Sequence, residues 1–429
     1  MRKDDVRKSM TIHELNHLVT IATAPGRMYR KLYGMNAADP ALRIDSFETW
    51  SKLPFLTKEH LLQTPISERI FLPLSDVDYI VPSSGTIGGL PLFSPRAHLA
   101  EYQFRSRFCS TPKAALSSKL VPHQQEELLR LQGGAPLIVL DLVNPAICAR
   151  LAARAGIDSL YVMTSHVMTI APHLAREGAA EGIRYIEMAG EVCSHALFSY
   201  IRKTFPKAVI VSSYGITDVE NSAMGIPCRP MSERGPLEVY HANDGCYLEL
   251  IDPETGQVLP ITQGTEGEVV ISAYRGEPAA LPMVRYRSGD IARVVEEACA
   301  EHGQWTFMLL GRAAMDFIRI PGGVLQADEV ERVLRTMSDR VSDRFELHTY
   351  ETSAPHGIHL RAVLHVESKG ENVDLDTLAR DIAGLLRISP TVTFAEGTAR
   401  GRFDALECVP LAIPESSKKR RRMIPHKDS

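Results

Sequence analysis

Leu137-Ile138-Val139-Leu140, Ser159-Leu160-Tyr161-Val162-Met163, Ile183-Arg184-Tyr185-Ile186-Glu187-Met188 and Ala208-Val209-Ile210-Val211 follow one another as short apolar runs. Between them, over Asn144 to Ala155, Ser165 to Glu177 and His195 to Thr204, apolar residues recur at helical spacing. Runs this apolar, alternating with helices, predict a parallel sheet covered on both faces. Ligands on such sheets sit beyond the carboxyl ends of the strands. Gly190 and the cluster Tyr214-Gly215-Ile216-Thr217-Asp218 fall there.

Working outward, the spacing predicts helix from Ile12 to Leu32 and again from Lys58 to Gln63, with Thr57 as N-cap. Tyr79-Ile80-Val81-Pro82 reads as a strand entering Ser83-Ser84-Gly85-Thr86-Ile87-Gly88-Gly89. After Tyr247 the texture changes to hairpins: Leu248 to Ile251 and Gly267 to Ile271 flank the turn Asp252-Pro253-Glu254-Thr255-Gly256. Past Arg312 come a helix at Asp328 to Met337, strands near Phe345 to Tyr350 and His359 to Val366, a helix at Asp376 to Leu386 and a strand at Thr391 to Phe394. The fold class is α/β, with a large N-terminal domain over 1–311 and a small α+β domain over 312–429.

Hydrophobic residues make up 44% and charged ones 23% of 429 residues, ordinary for a globular enzyme. A net charge of -4 gives no reason to expect nucleic acid or a membrane surface as partner. The opening Met1-Arg2-Lys3-Asp4-Asp5 leads into no long apolar stretch, so a cytoplasmic protein is expected. Seven cysteines without close paired spacing fit reduced thiols better than a disulfide framework.

Four stretches supply chemistry in one order. In the first, Ser83, Ser84, Gly85, Thr86, Gly88 and Gly89 let backbone N–H groups approach β- and γ-phosphates, with hydroxyls as added donors. No Gly-Lys-Ser/Thr follows, so it is not a Walker loop. Next, Tyr214 offers a ring for an adenine face, and Thr217 lies within reach of an α-phosphate. Arg285-Tyr286-Arg287-Ser288-Gly289-Asp290 and Gly311-Arg312 complete the set. Taken singly, a flexible turn, an N-cap and a Gly-Asp turn would explain three of them; the ordered set reads as an ATP site.

Order and spacing resemble the adenylate-forming enzymes, and within them the phenylacetate-CoA ligase branch. Trp50-Ser51-Lys52-Leu53-Pro54-Phe55-Leu56-Thr57-Lys58, Gly190-Glu191 and Leu281-Pro282-Met283-Val284-Arg285-Tyr286-Arg287 carry that likeness. The resemblance implies ATP, Mg²⁺ and coenzyme A as cofactors, and a small mobile C-terminal domain. It places Asp218 on Mg²⁺, where the family has Glu, and Asp290 on the ribose hydroxyls with Arg312 beside it. The catalytic lysine falls on Lys419, counted back from Arg422, or on Lys418. Departures are Ile87 for a Thr, Leu90 for a Lys, and Ala313-Ala314-Met315-Asp316 where the family hinge carries paired Asp. The acid pocket would involve Tyr161, Met163, His166 and Met188. Cys228, His241 and Cys246 offer three ligands for a structural Zn²⁺, against buried thiols as the plainer reading.

The reaction so implied joins a carboxylic acid, aromatic or compact, to AMP and passes the acyl group to coenzyme A. One rival changes the acceptor to a carrier protein, an amine or another nucleophile. A second, from a different class, is a degenerate nucleotide-binding protein without turnover. Oligomeric state is open.

Overall fold

The computed structural model describes residues 10–24, 27–82, 92–97, 114–117, 137–140, 144–219, 224–235, 238–243, 245–273, 280–300, 303–312, 317–321, 323–354, 357–370, 373–389, 391–411 and 423–426. The stretch Ser83 to Gly89, the hinge from Ala313 to Asp316, Lys418 and Lys419 lie outside them, as does the side chain of Arg312.

The expected parallel sheet has five strands in the order Leu137–Val139, Ala115–Ser117, Ser159–Met163, Tyr185–Ala189, Val209–Ser213. Every neighbouring pair is parallel. Helices Pro145–Ala155, His166–Arg176 and His195–Thr204 connect the strands and bury Ala149, Ile170, Leu174 and Ile201 against Leu160, Val162, Ile186 and Ile210. Each Leu, Ile or Val among these contributes about 1.5–3 kcal/mol on full burial. The first helix stops at Gly156, whose φ of 62° is the left-handed cap a glycine takes at low cost.

A second sheet is antiparallel throughout, with six strands ordered Cys246–Ile251, Glu266–Ala273, Met283–Glu296, Thr306–Arg312, Tyr240–Ala242, Gly225–Pro227. The N-terminal helices pack on it in one core that holds Leu15, Leu18, Trp50, Leu250, Ile271 and Phe307. The expected helix from Ile12 to Leu32 is two, Ile12–Ala22 and Met28–Leu32. Thr23 ends the first: it is the C-cap, and its hydroxyl bonds back to the Val19 carbonyl at 2.8 Å.

From Phe317 onward a third core forms. Strands Val341–Ala354 and Gly357–Ser368 make a long hairpin, flanked in parallel by Met423–His426 and Glu407–Pro410. Helices Ala327–Thr336 and Leu375–Leu385 cover one face with Val330, Leu334, Leu378 and Ile382. The predicted strand at Thr391 to Phe394 is only Val392–Thr393. Thr393 and Glu396 form a capping box, so Phe394 opens a helix instead of ending a strand. Helix His195–Thr204 also packs against the hairpin strands, bringing this unit beside the parallel sheet.

Candidate active site

Asp218 lies just past the last parallel strand, in the turn that follows Tyr214, and is 5% exposed. Its Oδ2 accepts a hydrogen bond of 2.8 Å from the Tyr286 hydroxyl, and the Lys58 ammonium stands 3.9 Å from the same oxygen. Its Oδ1 is buried and has no hydrogen-bond partner among the described residues. A buried carboxylate oxygen left in this state costs free energy unless something arrives to satisfy it. A hard oxygen donor in that position suits a divalent cation such as Mg²⁺. Arg69, also buried, lies close enough to Asp218 to feel its charge, although burial pulls the Arg69 guanidinium below its ordinary value.

Asp290 sits in strand Met283–Glu296, one residue after Gly289, whose φ of 75° makes the turn that presents it. The Tyr214 hydroxyl donates to Asp290 Oδ2 at 2.8 Å, which joins the expected adenine and ribose positions directly. The Tyr214 ring is 5% exposed and packs edge-on to Phe307 and tilted to Tyr240, so in this structure it is part of the core beneath the site. Asp290 pairs in register with Arg312 across the sheet, which brings those two positions side by side. Thr217 is half-buried, and Gly215 lies between it and Tyr214 in the same turn.

Lys58 reaches Asp218 because of a buried anchor some distance away in sequence. Arg285, 1% exposed and at a φ of 48°, donates from Nε and Nη2 to Glu249 at 3.2 and 3.1 Å. The same carboxylate accepts from the Trp50 indole at 3.0 Å. Arg285 Nη1 donates to the carbonyls of Ser51 and Leu53, and its guanidinium lies 4.2 Å from the Phe55 ring centre. Leu56 then pairs as a bridge with Tyr286, its N–H on the Arg285 carbonyl at 3.0 Å. Thr57 caps the helix Lys58–Gln63, as the sequence predicts, so Lys58 projects from its first turn. Neither Lys58 nor Tyr286 stands out from the sequence as a site residue; their one signal is that both lie inside the segments that carry the family likeness.

Gly190, with φ at 84°, follows strand Tyr185–Ala189, and a Cβ there would meet Met163 Cε at 3.3 Å. The Glu191 carboxylate accepts from the Ser165 N–H at 2.8 Å and the Ser165 hydroxyl at 3.1 Å, so it is committed to the start of helix His166–Arg176. Thr164, Ser165 and Glu191 line a cleft whose opposite wall is Ile320, Pro321 and Ile358 of the C-terminal unit.

The four residues expected to line an acid pocket do not share one wall. Tyr161 pairs with Glu187 and Val162 with Met188 in register, so Tyr161 and Met188 point to opposite faces of the sheet. Met188 is fully buried in the helix-covered core. Tyr161 lies on the other face against Tyr185 and Val211. Met163 shares the Tyr161 face and reaches Gly190, and His166 begins the following helix.

The three expected zinc ligands are likewise dispersed. Cys228 stands with its sulfur 3.3 Å from that of Cys299, Cys246 belongs to the core under the antiparallel sheet, and His241 Nδ1 lies 3.3 Å from the Ala242 carbonyl. No group of three metal-binding side chains occurs among the described residues, and Cys228 and Cys246 are buried, as the plainer reading of buried thiols has it. None of the described cysteines forms a disulfide, and burial pushes the Cys408 thiol up to about 12. No helix among the described residues is long and apolar enough to cross a membrane.

Comparison with known proteins accounts for this arrangement. Residues 121–275 match the family model described as AMP-binding enzyme. A phenylacetate-coenzyme A ligase of Pseudomonas putida is 26% identical over 223 residues, covering 51% of this chain and 47% of that one. The corresponding ligase of Thermus thermophilus is 27% identical over 185 residues, 41% of this chain and 39% of its own. The chain thus spans less than half the length of these curated relatives. In fold, it is similar to a 2-hydroxyisobutyryl-CoA ligase solved with 2-HIB-AMP and CoA in the thioesterification state: TM-score 0.63, 16% identity, 96% of this chain and 88% of that one. Against that enzyme in the postadenylation state the TM-score is 0.56 at 15% identity, over 97% of this chain and 89% of that one. Over part of its length the chain is thus similar in sequence to AMP-binding enzymes and to phenylacetate-coenzyme A ligases, and in fold it is similar to a 2-hydroxyisobutyryl-CoA ligase.

Proposed function

We propose that this chain is an ATP-dependent acid–thiol ligase. A carboxylate oxygen attacks the α-phosphorus of ATP, the bond from that phosphorus to the bridging oxygen breaks, and pyrophosphate leaves. The coenzyme A thiolate then attacks the acyl carbon, the C–S bond forms, and AMP leaves with the electrons of the C–O bond. The observation that carries the reading is the pairing of two buried acids with two tyrosines. Tyr286 holds Asp218 and Tyr214 holds Asp290, so a divalent-cation ligand and a sugar-hydroxyl acceptor come from neighbouring elements.

In this reading Asp218, one of whose carboxylate oxygens is buried without a hydrogen-bond partner among the described residues, would hold Mg²⁺, which would neutralise charge on the phosphates. Lys58 supplies a cation beside the same carboxylate; in sequence, Leu90 stands where the family often has a lysine. Asp290 accepts hydrogen bonds from the ribose hydroxyls, with Arg312 in register beside it. Ser83, Ser84, Thr86 and the glycines around them cradle the outer phosphates, and Lys419 or Lys418 stabilises charge as the P–O bond forms. The small unit beyond Arg312 turns between the two half-reactions. The cleft between Glu191 and Pro321 supports an acyl group lodged where the two units meet. The acid is small or aromatic, in keeping with the curated relatives.

Incubating the protein with an acid panel, ATP, Mg²⁺ and coenzyme A, and reading products by mass spectrometry, tests this. Acyl-CoA with AMP is the expected outcome. Acyl-AMP that persists in excess coenzyme A but is consumed by a carrier protein or an amine would move the acceptor assignment to the rival.

A further inference from the structure

Arg96 is 5% exposed and sits in strand Phe93–Ala97, which pairs antiparallel with Val77–Pro82. In sequence, these two strands bracket the hydroxyl- and glycine-rich stretch Ser83 to Gly89. The side chain reaches from that hairpin to the turn after the parallel sheet. There its Nη2 donates to the carbonyls of both Thr217 and Val219, the latter at 3.2 Å. Those are the residues on either side of Asp218. Arg69 ties the same strand at its other end, donating from Nη1 to the Phe93 carbonyl at 2.7 Å.

Asp218 is therefore restrained from two sides. Tyr286 fixes one carboxylate oxygen, and Arg96 fixes the main chain before and after its Cα. The oxygen left over, Oδ1, is buried and without a hydrogen-bond partner among the described residues. One guanidinium nitrogen carries two N–H bonds in a fixed plane, so Nη2 can donate to two carbonyls at once and hold their spacing. Were Arg96 only filling a core position, any two carbonyls would serve. These two flank the one acid among the described residues with a buried carboxylate oxygen that lacks a hydrogen-bond partner.

We propose that Arg96 is a positioning residue: by clamping the carbonyls on both sides of Asp218 from the hairpin that brackets Ser83 to Gly89, it sets the direction of the Asp218 carboxylate relative to the phosphates. This rests on the reading of Asp218 as the Mg²⁺ ligand. It requires no contact between Arg96 and the nucleotide. It also accounts for an Asp serving where the family has Glu. A shorter side chain tolerates less play in its backbone, so the turn needs a firmer hold.

The test is isothermal titration of ATP with Mg²⁺ and of ATP with EDTA, on the full chain and without any acid substrate. Arg96→Met should weaken MgATP binding about tenfold, the loss of roughly one charge-assisted hydrogen bond, and leave metal-free ATP binding unchanged. Asp218→Asn should show the same selective loss, and the double variant should be no worse than Asp218→Asn alone. Arg96→Lys, which keeps the charge and one donor direction, should recover part of the effect and serves if Arg96→Met does not fold. The proposal is overturned if Arg96→Met, or Arg96→Lys in its place, weakens both forms of ATP equally, weakens neither, or adds fully to Asp218→Asn. Wild-type protein that binds ATP without preference for the Mg²⁺ form would overturn this proposal and the Asp218 assignment together. Failure to bind ATP at all would instead remove the nucleotide site itself.

Discussion

Replacing Glu249 by Leu strips the acceptor from Arg285, the most deeply buried charged side chain among the described residues. Glu249 is 5% exposed and Arg285 1%, and the carboxylate takes three donors: two from Arg285 and one from the Trp50 indole. Arg285 would keep the Ser51 and Leu53 carbonyls and the Phe55 ring, but its charge would lose its only counterion among the described ion pairs. Breaking one side of a buried pair costs about 3–5 kcal/mol, because the partner's charge stays behind in a poorly solvating place. That is a large share of the roughly 5–15 kcal/mol of a typical domain. The chain has two tryptophans, so in a Trp305→Phe background the fluorescence of Trp50 alone follows this region through a urea titration. The double variant Glu249→Leu, Arg285→Met should recover most of the loss, since an apolar pair of similar volume has no stranded charge. A cost below about 1 kcal/mol for Glu249→Leu would refute the reasoning, because that is the worth of a solvent-exposed pair.

Other consequences are as direct. A Cβ on Gly323 would lie 2.3 Å from the Ile388 carbonyl oxygen, so Gly323→Ala should destabilise the C-terminal unit by about 1–3 kcal/mol through overpacking, and an unchanged thermal midpoint would contradict that contact. His348 is pulled below its ordinary value mainly by burial, with His365 and His426 adding to the shift and Glu346 opposing it. The unfolded chain therefore takes up this proton first, and stability should fall as pH drops below about 6.5; His348→Gln should flatten the slope, and a flat wild-type profile from about pH 7.5 to 5.5 would contradict it. Lys419→Ala should slow adenylate formation about 10²- to 10³-fold while sparing transfer from a pre-made acyl-adenylate; the same pattern in Lys418→Ala shifts the register by one, and neither showing it leaves the tail without a catalytic role.

Much of the architecture is legible because it depends on near neighbours. The apolar runs from Leu137 to Val211 are strands of a parallel sheet, Cys246–Ile251 pairs antiparallel with Glu266–Ala273 after a turn at Asp252 to Gly256 and a longer connection, and Thr57 caps its helix. The errors arise where local signals continue past a break or carry no direction. Helical spacing runs on through Thr23, and nothing in Thr391 to Phe394 shows that Glu396 will claim Thr393 as a cap. Alternation along a strand says that Tyr161 and Met163 share a face; only register with the next strand shows that Met188 faces the other way. Lys58, Arg96 and Tyr286 meet around Asp218 from positions far apart in the chain, and no spacing rule could have assembled them. The dispersal of Cys228, His241 and Cys246 is a tertiary fact of the same kind.

The central claim, that Asp218 and Asp290 frame an adenylating site, is tested most directly by acid-dependent exchange of labelled pyrophosphate into ATP. The account predicts exchange with at least one aromatic or compact acid in the presence of Mg²⁺, and loss of most of it in Asp290→Ala with ATP binding reduced. Exchange that survives Asp290→Ala at full rate would contradict it, as would ATP binding by the wild type with no exchange across a broad acid panel.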